Sequence, residues 1–449
     1  MRQIYPRKKG HPKNLLLNGD NMKIKLIKKS YDEILAMKKK RSSRPKRPSL
    51  LFRTLLKIVS APDLKSVNFK CEKIGMEKLG RSEPALFLMN HSSFVDLEIV
   101  SSLLFPRPFN IIATSDAFIG KHMLMRLIGC IPTNKFVTDT ALVRNSLHAV
   151  KKLKSSLVLF PEAGYSFDGT ATTLPDTLGS YIKMLGVPVV MILTYGAFSR
   201  DPLYNNLQKR KVDVSATQKY LLSKEEVATL SPAEITAKIN EEFAFDSFKW
   251  QRENHIRISE PFRADFLNRV LYKCPNCLAE GKTHGSGTEL TCDACGKKYY
   301  LDEYGCLKAE SGMTEFDHIP DWYSWERISV RAELLADEYS LDVPVDICIP
   351  VNNRRLYHVG EGRLRHSKDG FVLDGCDGKL HYEQKPLASY SLNSDFNWYE
   401  IGDVIGIGNN ERLYYCFPKV KSDVVAKARL AQEELYKILK GKVKSTSTV

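Results

Sequence analysis

The stretch ALFLMNHSSFVD, residues 85–96, decides the fold of this chain. Its apolar start predicts a buried β-strand, and a helix is expected to begin near Ser92. His91 would then lie in the turn between strand and helix, at the sheet edge where ligands commonly bind. Asp96 follows five residues later, so its carboxylate can reach back to one imidazole nitrogen. The other nitrogen would stay free to take a proton, as a general base must.

Further apolar runs follow this stretch and alternate with helical patterns. They read FNIIAT (109–114), SSLVLF (155–160), VPVVMIL (187–193) and VDVSAT (212–217). Short β-branched runs separated by helices predict an α/β domain with a mainly parallel sheet.

A second polar turn follows the strand predicted at 155–160, in the stretch FPEAGYSFDG (160–169). Glu162 comes directly after the strand, where a carboxylate can bind the hydroxyls of a polyol. Backbone N–H groups of the same turn can hold an anion. An ordinary acidic turn is the alternative interpretation.

Four sequence blocks, in order, resemble the glycerophospholipid acyltransferases, which acylate lysophosphatidic acid and its relatives. Residues 90–96, NHSSFVD, match the family's N-H-x-x-x-x-D. Residues 129–135, GCIPTNK, match G-x-I-x-x-x-R with lysine in place of arginine. Residues 160–166, FPEAGYS, correspond to F-P-E-G-T-R-S, and residues 186–190, GVPVV, to a Val-Pro-rich strand.

The resemblance implies the fold of the glycerol-phosphate acyltransferases and a reaction that needs no metal. An acyl thioester, on coenzyme A (CoA) or acyl carrier protein, would meet an acceptor hydroxyl, with His91 as general base and Asp96 as its partner. The substrate-binding residues that it implies are Asn90, Ser92, Lys135, Glu162, Gly164, Tyr165 and Ser166. Tyr165 and Lys135 stand where the family has arginines, so an acceptor other than 1-acylglycerol-3-phosphate stays open.

Four of the ten cysteines form two Cys-x-x-Cys pairs separated by 14 residues: Cys274, Cys277, Cys292 and Cys295. Each pair can offer two thiolates to one tetrahedral ion, so the pattern predicts a structural zinc ribbon with four cysteine ligands. A role in binding nucleic acid, binding a protein partner or bracing the larger domains is left open.

The positive charge is concentrated in the N-terminal tail. Residues 1–50 hold 16 Lys and Arg against three acids, whereas the whole chain of 449 residues carries a net charge of +15. Such a tail suits anionic lipid headgroups or nucleic acid, and a solvated, flexible leader is the alternative interpretation. The stretch LLFRTLLKIVS (50–60) is an amphipathic helix that could lie in a membrane interface or pack on its own domain. The scattered remaining cysteines and the absence of a long apolar run favour a cytoplasmic protein at the inner face of the membrane. Translation from Met22 is an alternative to Met1.

Four segments are expected. They are a basic flexible tail (1–48), an acyltransferase domain (49–262), a zinc ribbon (268–310) and a helix with a β-rich domain (318–445). Gly and Asp-Gly turns in the last segment predict hairpins and a barrel that ends in a helix, in the layout of a pleckstrin-homology domain. Two rival functions are a zinc-ribbon protein associated with nucleic acid, which the even charge of the folded body disfavours, and a lipid-binding scaffold with an inactive acyltransferase domain.

Overall fold

The structure, a computed structural model, describes residues 24–38, 44–137, 139–420 and 423–446. Its helices are α1 (Tyr31–Leu35), α2 (Leu50–Ser66), α3 (Val95–Leu104), α4 (His122–Leu127), α5 (Thr140–Leu147), α6 (Leu178–Leu185), α7 (Ala197–Arg200), α8 (Lys224–Thr229), α9 (Pro232–Glu242), α10 (Ser247–Glu253), α11 (Ile319–Leu335) and α12 (Val425–Thr446).

The strands form three separate sheets. They are β1 (Leu26–Lys28), β2 (Lys70–Ile74), β3 (Leu86–Met89), β4 (Phe109–Thr114), β5 (Cys130–Thr133), β6 (Ser156–Leu159), β7 (Val189–Tyr195), β8 (Ser215–Leu222), β9 (Thr283–Ser286), β10 (Glu289–Cys292), β11 (Lys298–Leu301), β12 (Leu307–Ala309), β13 (Leu341–Val351), β14 (Arg355–Ser367), β15 (Gly370–Gly375), β16 (Leu380–Gln384), β17 (Asn393–Trp398), β18 (Gly402–Gly408) and β19 (Leu413–Pro418).

The first large sheet has the strand order β2-β8-β7-β3-β6-β4-β5. The central strands β7, β3, β6, β4 and β5 run parallel, whereas β8 is antiparallel to β7. The predicted mainly parallel sheet is therefore confirmed. All carboxyl ends of the parallel strands meet at one edge, and His91 follows β3 there.

Alternating side chains of β3 explain why helices cover both faces of this sheet. Phe87 and Met89 pack into the core that contains α3, and Leu86 and Leu88 pack into the core that contains α6 and α9. Because successive side chains of a strand point to opposite faces, a strand that is apolar throughout must be buried on both sides.

The cysteine module forms a four-stranded antiparallel sheet, in the order β12-β11-β10-β9. Helix α11 packs against it, and the rings of Tyr299 and Trp322 lie 5.0 Å apart. The indole of Trp322 donates to the backbone oxygen of Lys273, and a carboxylate oxygen of Glu326 accepts from the N–H of Lys273. The module is therefore fastened to the helix that follows it.

The C-terminal sheet follows the path β16-β15-β14-β13-β19-β18-β17, with antiparallel neighbours throughout. Two meanders are thus joined where β13 pairs with β19, and α12 packs beside β17 and β18. The β-rich region with its final helix is present as expected. Its assignment to the pleckstrin-homology layout stays a prediction.

The described part of the basic tail contacts the C-terminal sheet. Strand β1 pairs in parallel with β14, and Tyr31 and Ile34 of α1 are buried. Farther along, the side-chain amide of Asn110 donates to the backbone oxygen of Lys46, 2.9 Å away. Residues 1–23 and 39–43 of the tail lie outside the described residues.

Candidate active site and metal centre

His91 and Asp96 lie together at the carboxyl end of β3, as their spacing predicts. The imidazole Nδ1 is 2.9 Å from Oδ2 of Asp96, and that oxygen also accepts the backbone N–H groups of Ser92 and Ser93. Helix α3 begins at Val95, three residues later than expected, because Asp96 draws residues 92 and 93 into a turn around its carboxylate. The carboxylate engages Nδ1, so Nε2 is the nitrogen left to accept a proton.

Two aromatic rings hold the plane of the imidazole. The ring of Tyr165 stacks on His91 with a centroid distance of 4.2 Å, and Phe160 lies 4.3 Å away. The side chain of His91 is still 25% exposed, whereas that of Asp96 is 1% exposed. A fixed ring with one accessible edge and a buried carboxylate behind it is the arrangement that proton abstraction needs.

The carboxylate of Glu162 is hydrogen-bonded to other groups of the protein. One carboxylate oxygen accepts the backbone N–H of His91 at 2.9 Å, and the other accepts the N–H and hydroxyl of Thr172. Burial raises the pKa of Glu162 to about 7, against the hydrogen bonds from His91 and Thr172 that lower it. Both oxygens are engaged by protein groups, so the geometry favours positioning of the His91 turn over contact with a substrate hydroxyl.

Three other residues of the expected substrate set are buried and bonded internally. Asn90 accepts the N–H of Thr194 at 2.8 Å and donates to its carbonyl oxygen, which ties β3 to β7. Ser92 is 3% exposed, and Ser166 accepts the N–H of Gly169 within its own turn. Gly164 differs, since a Cβ built on it would meet no atom within 4 Å. Of these residues, Gly164 alone leaves open space beside the turn.

Positions 135 and 165, where the glycerophospholipid acyltransferases have arginine, carry no free positive charge in this protein. Tyr165 is neutral, and burial together with the carboxylates of Asp96, Asp395 and Asp201 raises the pKa of its phenol well above the ordinary value. Lys135 lies 3.9 Å from Asp395 of β17, and its side chain is 10% exposed. The C-terminal domain thus places a carboxylate against the lysine of the second block.

The sequence reasoning missed three residues near the site. Asp201 accepts a hydrogen bond from the hydroxyl of Ser93, and burial raises the pKa of Asp201 to about 7. Asp395 neutralises Lys135, and the guanidinium of Arg429 on α12 donates to the backbone oxygen of Tyr165 at 3.1 Å. Asp395 and Arg429 are each more than 250 positions from their partners, and no motif marks them.

The four predicted cysteine ligands come together between β9, β10 and β11. Their sulfur atoms all lie within 4.8 Å of one another, with Cys274–Cys295 at 3.8 Å and Cys277–Cys292 at 3.7 Å. A tetrahedral zinc ion with bonds of about 2.3 Å separates its sulfur ligands by about 3.8 Å, whereas a disulfide requires about 2.05 Å. The cluster can therefore hold a metal ion.

Comparison with known proteins identifies the class. Residues 70–193 match the model of the acyltransferase family. The chain therefore carries a segment similar to the acyltransferase family, and this segment contains His91, Asp96 and Glu162.

Two further comparisons were made. No curated protein matches the chain. Among solved structures, the 1-acyl-sn-glycerophosphate (LPA) acyltransferase PlsC from Thermotoga maritima is similar, with 17% sequence identity and a TM-score of 0.35. That similarity covers 43% of this chain and 76% of the Thermotoga maritima chain.

Proposed function

We propose that this protein transfers a fatty acyl group from an acyl thioester to a hydroxyl of a lysophospholipid, with His91 as general base. The observation that carries the proposal is the contact of 2.9 Å between His91 and the buried Asp96 at an accessible sheet edge. It lies within the segment that matches the acyltransferase family.

The reaction uses one proton cycle. Nε2 of His91 takes the proton of the acceptor hydroxyl while the oxygen of that hydroxyl attacks the thioester carbonyl. The tetrahedral intermediate collapses, the carbon–sulfur bond breaks, and the imidazolium returns its proton to the departing thiolate. Asp96 stabilises the imidazolium through Nδ1, and Glu162 positions the backbone of His91.

The acceptor is proposed to be a lysophospholipid whose phosphate need not be a free monoester. A dianionic monoester would require an available cation, whereas Lys135 already faces Asp395 and Tyr165 is neutral. The donor is an acyl-CoA, with acyl carrier protein as the second candidate.

Zinc and the membrane have separate roles. The four cysteines hold a structural zinc ion that braces the ribbon against α11.

Helix α2 exposes Leu51 at 74% and Ile58 at 63%, and the nearby α4 exposes Met123 at 74%. With Arg53 and Lys57 on α2, this surface suits peripheral binding at the anionic inner face of a membrane. No described helix is long and apolar enough to cross a bilayer.

The test replaces His91 by alanine in the full chain and follows thiol release from acyl-CoA with a lysophospholipid panel. We expect turnover to fall by about 100- to 10,000-fold, the usual contribution of a general base. His284→Ala, on the exposed face of the ribbon strand β9, is the matched control and should keep full activity. Retained turnover in His91→Ala, with unchanged thermal unfolding, would refute the assignment.

A further inference from the structure

A cavity of about 360 Å³ lies between the N-terminal segment, the acyltransferase domain and the C-terminal sheet, separate from the residues assigned above. Volumes of this size are typical of sites for small molecules. Its walls are held together by bonds between the three parts. The N–H of Gly120 donates to the backbone oxygen of Arg354 at 3.1 Å, and the side chain of Asn352 donates to the backbone oxygen of Lys38 at 3.3 Å.

The lining of this cavity is strongly basic. One acidic residue, Glu411, lines the cavity. Five cationic residues also line it: Arg44, Lys46, Arg126, Arg354 and Arg412. Within the part of the chain that the structure describes, Arg44, Lys46, Arg126 and Arg354 form no ion pair. Like charges held together without counter-charges repel each other, so an anion that bound there would relieve this repulsion.

His122 lies within the positive field of these arginines. It lies one helical turn before Arg126 on α4, and both line the cavity. The pKa of His122 is lowered by burial and by the charges of Arg354 and Arg126. Guanidinium groups from two different domains therefore converge on one imidazole. Arginine pairs suit phosphate, because each planar fork can donate two parallel hydrogen bonds.

The rest of the lining would accept a base or sugar beside the phosphates. Partly exposed apolar contacts come from Met37, Val351 and Leu413, and an amide group comes from Asn134. Amide side chains both donate and accept, so they can bind the polar edge of a nucleobase. A purely inorganic anion would leave this apolar and amide surface unused.

The cavity is lined in part by residues at the carboxyl-end edge of the catalytic sheet. Its residues Ser115 and Asn134 directly follow β4 and β5, just as His91 follows β3. In the order β3-β6-β4-β5, strands spaced about 4.8 Å apart put these positions roughly 10 and 15 Å from His91 along the sheet. A ligand that spans this gap would need a long flexible arm between its phosphates and its reactive end.

From these observations we infer that the cavity binds a ligand rich in phosphate groups, and we assign it to the nucleotide end of a CoA thioester donor. The pantetheine arm would then run along the sheet edge and bring the thioester to His91. This inference rests on the proposed function and locates the site that would bind its donor. A phosphorylated lipid headgroup offers the same chemistry but no arm that reaches His91.

The test measures binding of adenosine 3′,5′-bisphosphate, which lacks the pantetheine arm and the acyl group, by titration calorimetry with the full chain. We expect saturable binding that weakens at least tenfold in the double variant Arg126→Ala/Arg354→Ala. Arg81→Ala, at an exposed position outside the cavity, is the control and should bind as the parent protein does. The double variant should unfold at the same temperature or higher, since it removes mutual repulsion.

Activity and vesicle measurements separate the outcomes. In thiol-release assays the double variant should raise KM for acyl-CoA at least tenfold with little change in kcat, and the bisphosphate should compete with acyl-CoA. His91→Ala should still bind the bisphosphate. A failure of the cavity assignment can therefore be distinguished from a failure of the general-base assignment. If the bisphosphate does not bind but the double variant loses binding to phosphatidylcholine vesicles containing a phosphatidylinositol bisphosphate, the CoA assignment is overturned. No binding of either probe overturns the whole inference.

Discussion

Asp96→Asn tests most directly whether the buried carboxylate supports catalysis through His91. Oδ2 of Asp96 contacts Nδ1 of His91 and accepts hydrogen bonds from the backbone N–H groups of Ser92 and Ser93. An asparagine whose amide oxygen takes the place of Oδ2 keeps all three contacts and removes only the charge. Its NH₂ group would take the place of Oδ1, which has no hydrogen-bond partner among the described residues. A buried donor without an acceptor costs about 1–3 kcal/mol of folding stability.

The effect on catalysis is bounded from both sides. Replacing a charge-assisted hydrogen bond by a neutral one loses about 1.5 kcal/mol. The full attraction between a carboxylate and an imidazolium about 4 Å apart is about 4 kcal/mol at an effective dielectric constant of 20. At 1.36 kcal/mol for each factor of ten, kcat should fall by about 10- to 1000-fold.

The assay is thiol release from acyl-CoA at a temperature where urea titration shows each variant fully folded. Asp342→Asn, an exposed carboxylate paired with Arg363, is the control and should keep parental activity. The charge of Asp96 acts only through His91, so the double variant His91→Ala/Asp96→Asn should be no slower than His91→Ala alone. A further tenfold loss in the double variant, or an Asp96→Asn enzyme with more than half of the parental kcat, would refute this reasoning.

Three other predictions follow from the site and the ribbon. Asp395→Asn should leave Lys135 with its charge available and raise kcat/KM for 1-acylglycerol-3-phosphate, relative to lysophosphatidylcholine, about tenfold, equal to 1.4 kcal/mol; an unchanged ratio in a substrate competition assay would contradict it. Cys274→Ser should reduce bound zinc, measured by atomic absorption, from one ion per chain toward none and lower the unfolding temperature, because metal binding contributes to folding. In the folded protein, Glu162 has a pKa of about 7 and keeps its proton up to that pH. In the unfolded chain, Glu162 loses the proton near pH 4.5. Stability that depends on this group is therefore full below pH 4.5 and declines as the pH rises toward 7, by on the order of 3 kcal/mol in total. Glu162→Gln should flatten that part of the slope in urea titrations between pH 5 and 8.

Matched controls sharpen these three measurements. Asp374→Asn, which changes a carboxylate of strand β15 that is 41% exposed, should not alter acceptor preference. Cys71→Ser, far from the ribbon, should keep its zinc. Glu253→Gln, an exposed carboxylate on α10, should leave the pH dependence of stability unchanged.

Local patterns predicted the centre of the catalytic sheet and the His91–Asp96 contact. Strand β4 spans the predicted residues 109–114, because Phe109, Ile111 and Ile112 give it enough apolar side chains for burial on both sheet faces. His91 and Asp96 are separated by only four intervening residues, so their spacing alone brings the two side chains within reach. The same holds for the cysteine pairs, where each knuckle is local.

Contacts between distant parts of the chain could not be predicted in this way. Strand β2, KCEKI, is a mostly exposed edge strand and lacks an apolar run. The pairing of Lys135 with Asp395 depends on how the C-terminal domain docks, which no periodicity specifies. Glu162 shows a different limit, since an acid after a strand fits substrate binding and internal bonding equally well. Only its hydrogen bonds to His91 and Thr172 distinguish the two.

One apolar core contains Phe167, Phe198 and Tyr204 together with Leu267 and Phe396 from later in the chain. A clone ending near residue 262 would therefore present aromatic side chains to water and precipitate or misfold. Enzymologists who wish to shorten this protein should keep the ribbon and the final helix. Fusion tags belong beyond the last helix or before residue 24, away from strand β1 and its partner β14.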